Sequence, residues 1–174
     1  MTDPTPNADL RERWLFLLDP IWQQSAAPDS EPPPEAIVGG WYFDSHGERG
    51  PFEPNPQYIP AEDSVPTDPV DAVVRLAIDG DDIGAQIAPT LRDAMVEVAC
   101  DERDQPVVGP APDGTPCLAV VTAAVHKRRI VADRWHRVVG SALPDLTPVG
   151  VDLLLNPGSP TQFRLFTEAL RTTK

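Results

Sequence analysis

The stretch VGVDLLLNPGSP, residues 149 to 160, drives an apolar run into Asn156, Pro157, Gly158 and Ser159, an exit turn that could grip a ligand or simply end a strand. A phosphate loop needs a glycine-rich bend opening a helix, with a lysine and Ser or Thr in the pattern G-x-x-x-x-G-K-[ST]. No lysine stands in or directly after this turn. Asn-Pro-Gly suits a tight structural turn instead, because proline presets φ and glycine accepts a positive φ. Asn156, Pro157 and Gly158 are therefore read as a structural turn.

Other reactive side chains are scattered. Cys100, Cys117, His126 and His136 lack paired zinc spacings such as C-x-x-C with H-x-x-x-H, so no metal site is expected. Both cysteines sit at the ends of apolar runs, where buried and inert thiols are common. No G-x-S-x-G occurs, and Ser141 and Ser159 have no recognisable nucleophile context. The acidic pairs Glu62-Asp63, Asp81-Asp82 and Asp101-Glu102 lie beside turns or helix starts, where solvation or capping accounts for them. The residues give no catalytic constellation and no cofactor motif, and the chain is read as a non-enzyme.

Charge narrows the partners. With 14 basic against 27 acidic residues the chain carries a formal −13, which repels phosphate backbones and anionic headgroups, so nucleic acid is not an expected partner. The one basic island, HKRRIVADRWHR at 126 to 137, reads as an exposed face, with Trp135 as a core anchor. The N-terminus has no positive region ahead of an apolar stretch, and Trp14 to Leu18 is too short for a span. Cytoplasmic location, no membrane insertion and reduced thiols are the expectations.

The elements that must position these groups follow from periodicity. Leu10, Trp14, Leu17 and Leu18 recur at helical spacing and predict a short helix over residues 8 to 19, stopped by Asp19-Pro20. Residues 23 to 35, with Pro32-Pro33-Pro34, read as an extended linker. Ile37 to Phe43 predict a strand, Asp44 to Gly47 a turn, and Phe52 and Tyr58 lie on a proline-rich return arm fit only for an edge or a loop. Thr67-Asp68-Pro69 is a helix start, and Val70, Val73, Val74 and Ala77 supply the buried stripe of a helix ending near Gly80. A weaker helix runs from Ile83 to Leu91, interrupted by Pro89.

Three successive strands are then expected, AMVEVAC and two runs flanking Pro112-Asp113-Gly114, as a meander with Leu118 to Val121 central. Trp135 to Val139 and Val151 to Leu155 add strands, and TEALRT a terminal helix. The class is α+β: a mixed β-sheet with helices packed on it, preceded by an N-terminal helix and a proline-rich β-hairpin arm. The expected division is 1–66 for helix, linker and arm, and 67–174 for the α+β domain.

The segments LLDPIW, VGGWYFDSHGERGPFEPNPQY, PTDPVDAVVRL, PDGTPCLAVVTAA and VDLLLNPGSP, in that order, resemble the actinobacterial type VII secretion system-associated proteins, whose C-terminal part is similar to the SseB N-terminal domain. The resemblance covers most of the chain from Leu17 to Pro160. It implies an α+β domain with a mixed sheet and a cytoplasmic accessory protein of a type VII (ESX-type) apparatus, without enzyme activity. It does not extend to the linker before Glu35 or to the HKRR run.

Exported substrates of such systems carry W-x-G between two helices and a later Y-x-x-x-[DE]. Tyr58 to Glu62 fits the second pattern, but no W-x-G occurs, which favours an accessory protein over a substrate. The expected function is thus a protein-binding adaptor or chaperone for type VII components or substrates, with Trp41, Phe52, Asn55 and Tyr58 as candidate partner contacts. The alternatives are a small-ligand-binding or enzymatic domain using the end of the Val151 to Leu155 strand, and a self-associating scaffold.

Overall fold

The computed structural model describes residues 13–171. Strands β1 (Arg13–Leu18), β2 (Ile37–Phe43) and β3 (Arg49–Pro54) form an antiparallel sheet in the order β1-β2-β3. A second sheet contains β4 (Met95–Cys100), β5 (Val108–Pro110), β6 (Pro116–Val121), β7 (Arg134–Val139), β8 (Asp152–Leu155) and β9 (Phe163–Leu165). Its order is β7-β4-β6-β8-β9, with β5 paired to β6. The β6–β8 pair is parallel and the others antiparallel, so the sheet is mixed and the class is α+β. The helices are α1 (Pro20–Ser25), α2 (Pro69–Ile78), α3 (Ile87–Arg92), α4 (Leu143–Leu146) and α5 (Thr167–Arg171).

The N-terminal expectation is corrected. Residues 13–18 form strand β1, not the end of a helix, and the earlier part of the expected helix, including Leu10, lies outside the described residues. RWLFLL is rich in aromatic and apolar side chains that suit a strand, and pairing with β2, from Arg13 opposite Phe43 to Leu17 opposite Gly39, decides between the two periods. Asp19-Pro20 then starts helix α1 where a stop was expected. Asp19 Oδ1 accepts from the N–H groups of Ile21 and Trp22, the same cap-plus-proline chemistry that begins α2 at Asp68-Pro69.

Glycine inside β2 has a steric reason. A Cβ on Gly39 would run into the Phe52 ring and the Glu53 carbonyl, so the missing side chain lets β3 and its aromatic lie close. β3 carries its prolines at the sheet edge, as the sequence predicts. It also reaches the second sheet through the Phe52 N–H, which donates to Asp93 O at 2.8 Å. The meander needs revision: β4 pairs directly with β6, Val98 opposite Val120, while β5 runs along the first half of β6. β6 is central, as its two-sided apolar run predicts.

One hydrophobic core joins Val38, Phe52 and Tyr58 of the arm to Val70, Val74 and Leu91 of the helices and Val98, Leu118 and Leu153 of the mixed sheet. Hydrophobic burial therefore runs continuously across the Pro66-Thr67 junction.

Candidate functional site

The residues singled out as partner contacts fall into different environments. Phe52 and Tyr58, only 2% and 3% exposed, belong to the core and present no contact surface, a correction forced by the apolar area each ring buries. The Tyr58 hydroxyl donates to Asp19 Oδ2 at 2.7 Å, pinning the arm to the cap of α1, and burial raises its pKa further than that bond does. Asn55 is half-buried and acts as a clamp. Its amide donates to the carbonyls of Pro34 and Ile37, both at 2.8 Å, while its Oδ1 accepts from Gln57 N–H. Trp41 is half-buried, edge-on to Phe52 at 4.9 Å between ring centroids, and remains open to solvent beside Pro69.

The strand-exit turn is structural. Ser159 N–H returns to the Asn156 carbonyl at 3.1 Å, Gly158 takes φ of 75°, and Asn156 itself sits at φ of 47°. Asn156 is buried, and its side chain is spent on Thr122: Oδ1 accepts from Thr122 N–H and Nδ2 donates to Thr122 Oγ1, both at 2.9 Å. Aspartate and asparagine tolerate the left-handed region because a short polar side chain can bond locally. Here the bond reaches across to the neighbouring parallel strand instead.

Thr122 leads into a buried polar network that spacing in sequence could not reveal. Asp68 caps α2 with Oδ1, which accepts from the N–H groups of Val70 and Asp71. Its Oδ2 accepts from Thr67 Oγ1 at 2.8 Å and Thr122 Oγ1 at 2.6 Å. Since the Thr67 proton goes to Asp68, the 2.9 Å contact between Thr67 Oγ1 and His126 Nε2 assigns the proton to Nε2 of the imidazole. Asp71, fully buried, accepts from Thr67 N–H, from Arg75 Nε at 2.8 Å and from Thr161 Oγ1 at 2.6 Å.

The electrostatics follow from burial. Asp68 and Asp71 are both buried carboxylates, and of the two Asp71 takes the guanidinium of Arg75. Desolvation, then the charge of Asp71, raises the pKa of Asp68 against the hydrogen bonds it receives. Burial depresses the pKa of His126, with Asp71 opposing and Arg129 and Arg75 assisting. A carboxylate, two hydroxyls and an imidazole in a row resemble a proton relay. With Thr67, Asp68 and Thr122 almost wholly enclosed, the arrangement instead stitches the start of α2 to the ends of β6 and β8.

The remaining reactive groups are similarly placed. Cys100 and Cys117 are free and buried, and burial pushes both thiols up, with carboxylates adding to the effect. In the basic island Lys127 pairs with Glu97 at 2.6 Å and lies over the half-buried Trp135, and Arg137 pairs with Glu53 at 2.8 Å. These cations are occupied within the fold, and Trp135 stands on edge strand β7 rather than in the core.

What the fold offers to other molecules is apolar surface. On β1, Trp14, Leu15 and Phe16 are 45%, 56% and 51% exposed. Trp14 and Phe16 stack at 6.1 Å above a depression of about 320 Å³ floored by Gly39 and Gly40 and walled by Pro34 and Pro54. Gly40 leaves room for the Phe16 ring, which a Cβ there would crowd. Among the described residues, no helix is long and apolar enough to cross a membrane. Compared with known proteins, the chain matches no family model, no curated protein and no solved structure.

Proposed function

We propose that the chain is a non-enzymatic, cytoplasmic accessory protein that binds a partner polypeptide, as adaptor or chaperone, for the type VII (ESX-type) apparatus to which its sequence motifs point. The observation that supports partner binding is strand β1. It terminates its sheet, pairs on one side with β2 and with no second strand among the described residues. It also exposes three successive large apolar side chains. Proteins blunt open edges with lysine, proline or bulges, and Arg13 to Leu17 has no lysine or proline, with irregular pairing beginning only at Leu17–Leu18. A partner strand laid along β1 would satisfy the free backbone groups and cover Trp14, Leu15 and Phe16, the mode of strand addition.

The test is site-specific photocrosslinking in a native actinobacterial host, with the crosslinking residue at Leu15 and, as control, at the fully exposed Val131. Adducts from position 15 to a type VII component or substrate, absent from position 131 and lost in Phe16→Lys, are the expected result. Equal adducts from both positions, or an adduct from position 15 only to a second copy of the chain, would overturn it.

A further inference from the structure

Helix α2 buries Val70 and Val74 and turns Ala72, Leu76 and Asp79, at i, i+4 and i+7, toward two adjoining clefts. The first, about 430 Å³, is walled by Leu17, Leu18, Pro20, Val38 and Trp41. The second, about 480 Å³, is walled by Leu76, Ile78 and Pro160. Pro66 and Ala72 line both, so the clefts join into one apolar trough beside a helix roughly 15 Å long. Leu76 and Ile78, 46% and 52% exposed, are left for something else to cover.

The rim says what kind of chain covers them. Asp79 ends α2, Asp81 N–H bonds the Leu76 carbonyl at 3.0 Å, and Asp82 follows. Arg75 Nη1 donates to the Asp63 carbonyl at 2.7 Å, drawing Glu62 and Asp63 to the same side. Asp79 lines the Leu76 end and the segments flanking it carry Glu62, Asp63, Asp81 and Asp82, while Arg75, the cation lining it, is paired to Asp71. A second copy of a chain carrying −13 would set acid against acid there. At the Leu76 end the walls are residues of α2 and of the loops bearing Pro66 and Pro160, so an extended peptide finds no ladder to join there. A helix brings its own backbone bonds and a side-chain stripe.

We propose that this trough docks an amphipathic helix of another protein, apolar along one stripe and rich in lysine or arginine on its flanks. The trough meets β1 at Leu17 and Leu18 but excludes Trp14, Leu15 and Phe16, and it extends the partner-binding reading to a second surface.

The experiment titrates the full chain, methyl-labelled for NMR, with a synthetic helical peptide bearing a leucine stripe and lysine flanks, and with its glutamate-flanked counterpart. The lysine peptide is expected to shift the methyls of Ala72, Leu76 and Ile78, to weaken with added salt, and to lose at least about tenfold in affinity in Ala72→Arg. The glutamate peptide is expected to leave these methyls unmoved. Equal response to both peptides, no response at α2, shifts confined to Leu15 of β1, or α2 shifts that track protein concentration without peptide would each overturn the proposal. Leu15→Lys, which disables the β1 edge, is expected to bind the lysine peptide unchanged, so failure of the β1 reading and of this one remain distinct. Unchanged thermal unfolding of Ala72→Arg confirms that its loss is local, and Leu76→Lys repeats the test from an exposed position.

Discussion

Replacing Asp68 separates what its charge does from what its oxygens do. In Asp68→Ala the α2 cap is lost, worth about 1 kcal/mol. Two buried hydrogen bonds to a charged acceptor also go, each worth roughly 1.5–3 kcal/mol. The hydroxyls left behind are not orphaned, since Thr67 keeps His126 and Thr122 keeps Asn156. Relief of desolvation and of repulsion by Asp71 returns part of the loss. The expected net cost is about 3 kcal/mol, roughly 6–12 °C in Tm for a chain of this size.

Asp68→Asn keeps the capping oxygen and turns an amide toward hydroxyls that can rotate to accept from it, so it is expected to stay within about 1 kcal/mol of the parent at neutral pH. The two variants also differ from the parent in pH response. Because the folded pKa of Asp68 lies above the unfolded value of about 3.9, the native state holds the extra proton between the two values. Asp68's contribution to stability therefore falls as pH rises through that window and is smallest above it. Urea unfolding across pH 4 to 8 is the assay, and Asp68→Asn is expected to remove that falling component. An Asp68→Ala variant within about 0.5 kcal/mol of the parent would refute the structural role of the network. An Asp68→Asn variant as damaged as Asp68→Ala would show that the charge itself is needed.

Two further perturbations test the same framework. His126 has its pKa depressed by burial, so its contribution is fully present above the unfolded value of about 6.5 and is lost as pH falls from there toward the folded value. Stability of the parent is expected to decline between about pH 7 and 5 more steeply than that of His126→Gln, measured by thermal unfolding at several pH values. Gly140 follows β7 where a Cβ would run into the Leu91 carbonyl and press on Arg92, both backbone groups of α3. Gly140→Ala is expected to cost about 3 kcal/mol or more by chemical denaturation, whereas the same change at the open Gly109 is expected to cost under about 1 kcal/mol.

The candidate site was less legible than the fold, for reasons visible in particular residues. Trp41, Phe52 and Tyr58 announced themselves as large aromatics in a proline-rich arm, but nothing local tells a ring that packs on a core from one that waits for a partner. Only the docking of β3 beside Asp93 and Ala94 buries Phe52. The exposed patch at Trp14 to Phe16 was concealed by a helical spacing that a strand accommodates equally. Asp19-Pro20 was ambiguous because a cap followed by proline marks a helix start, while proline also halts any helix running into it.

Sequence by itself determined the α+β class, helix α2 with its Asp68 cap and Val70–Val74 stripe, central β6, and the Asn156-Pro157-Gly158 turn. Each is written in local chemistry: side-chain period, a capping oxygen, a fixed or positive φ. Tertiary structure alone decided that β1 is a strand, that β6 and β8 run parallel, and that Thr67, Asp68, Asp71, Thr122, His126, Asn156 and Thr161 meet in one buried network. Hydrogen bonds among those groups join residues up to ninety positions apart. Their hydrogen bonds gain strength only once packing has excluded water around them, a condition no short stretch of the chain can supply.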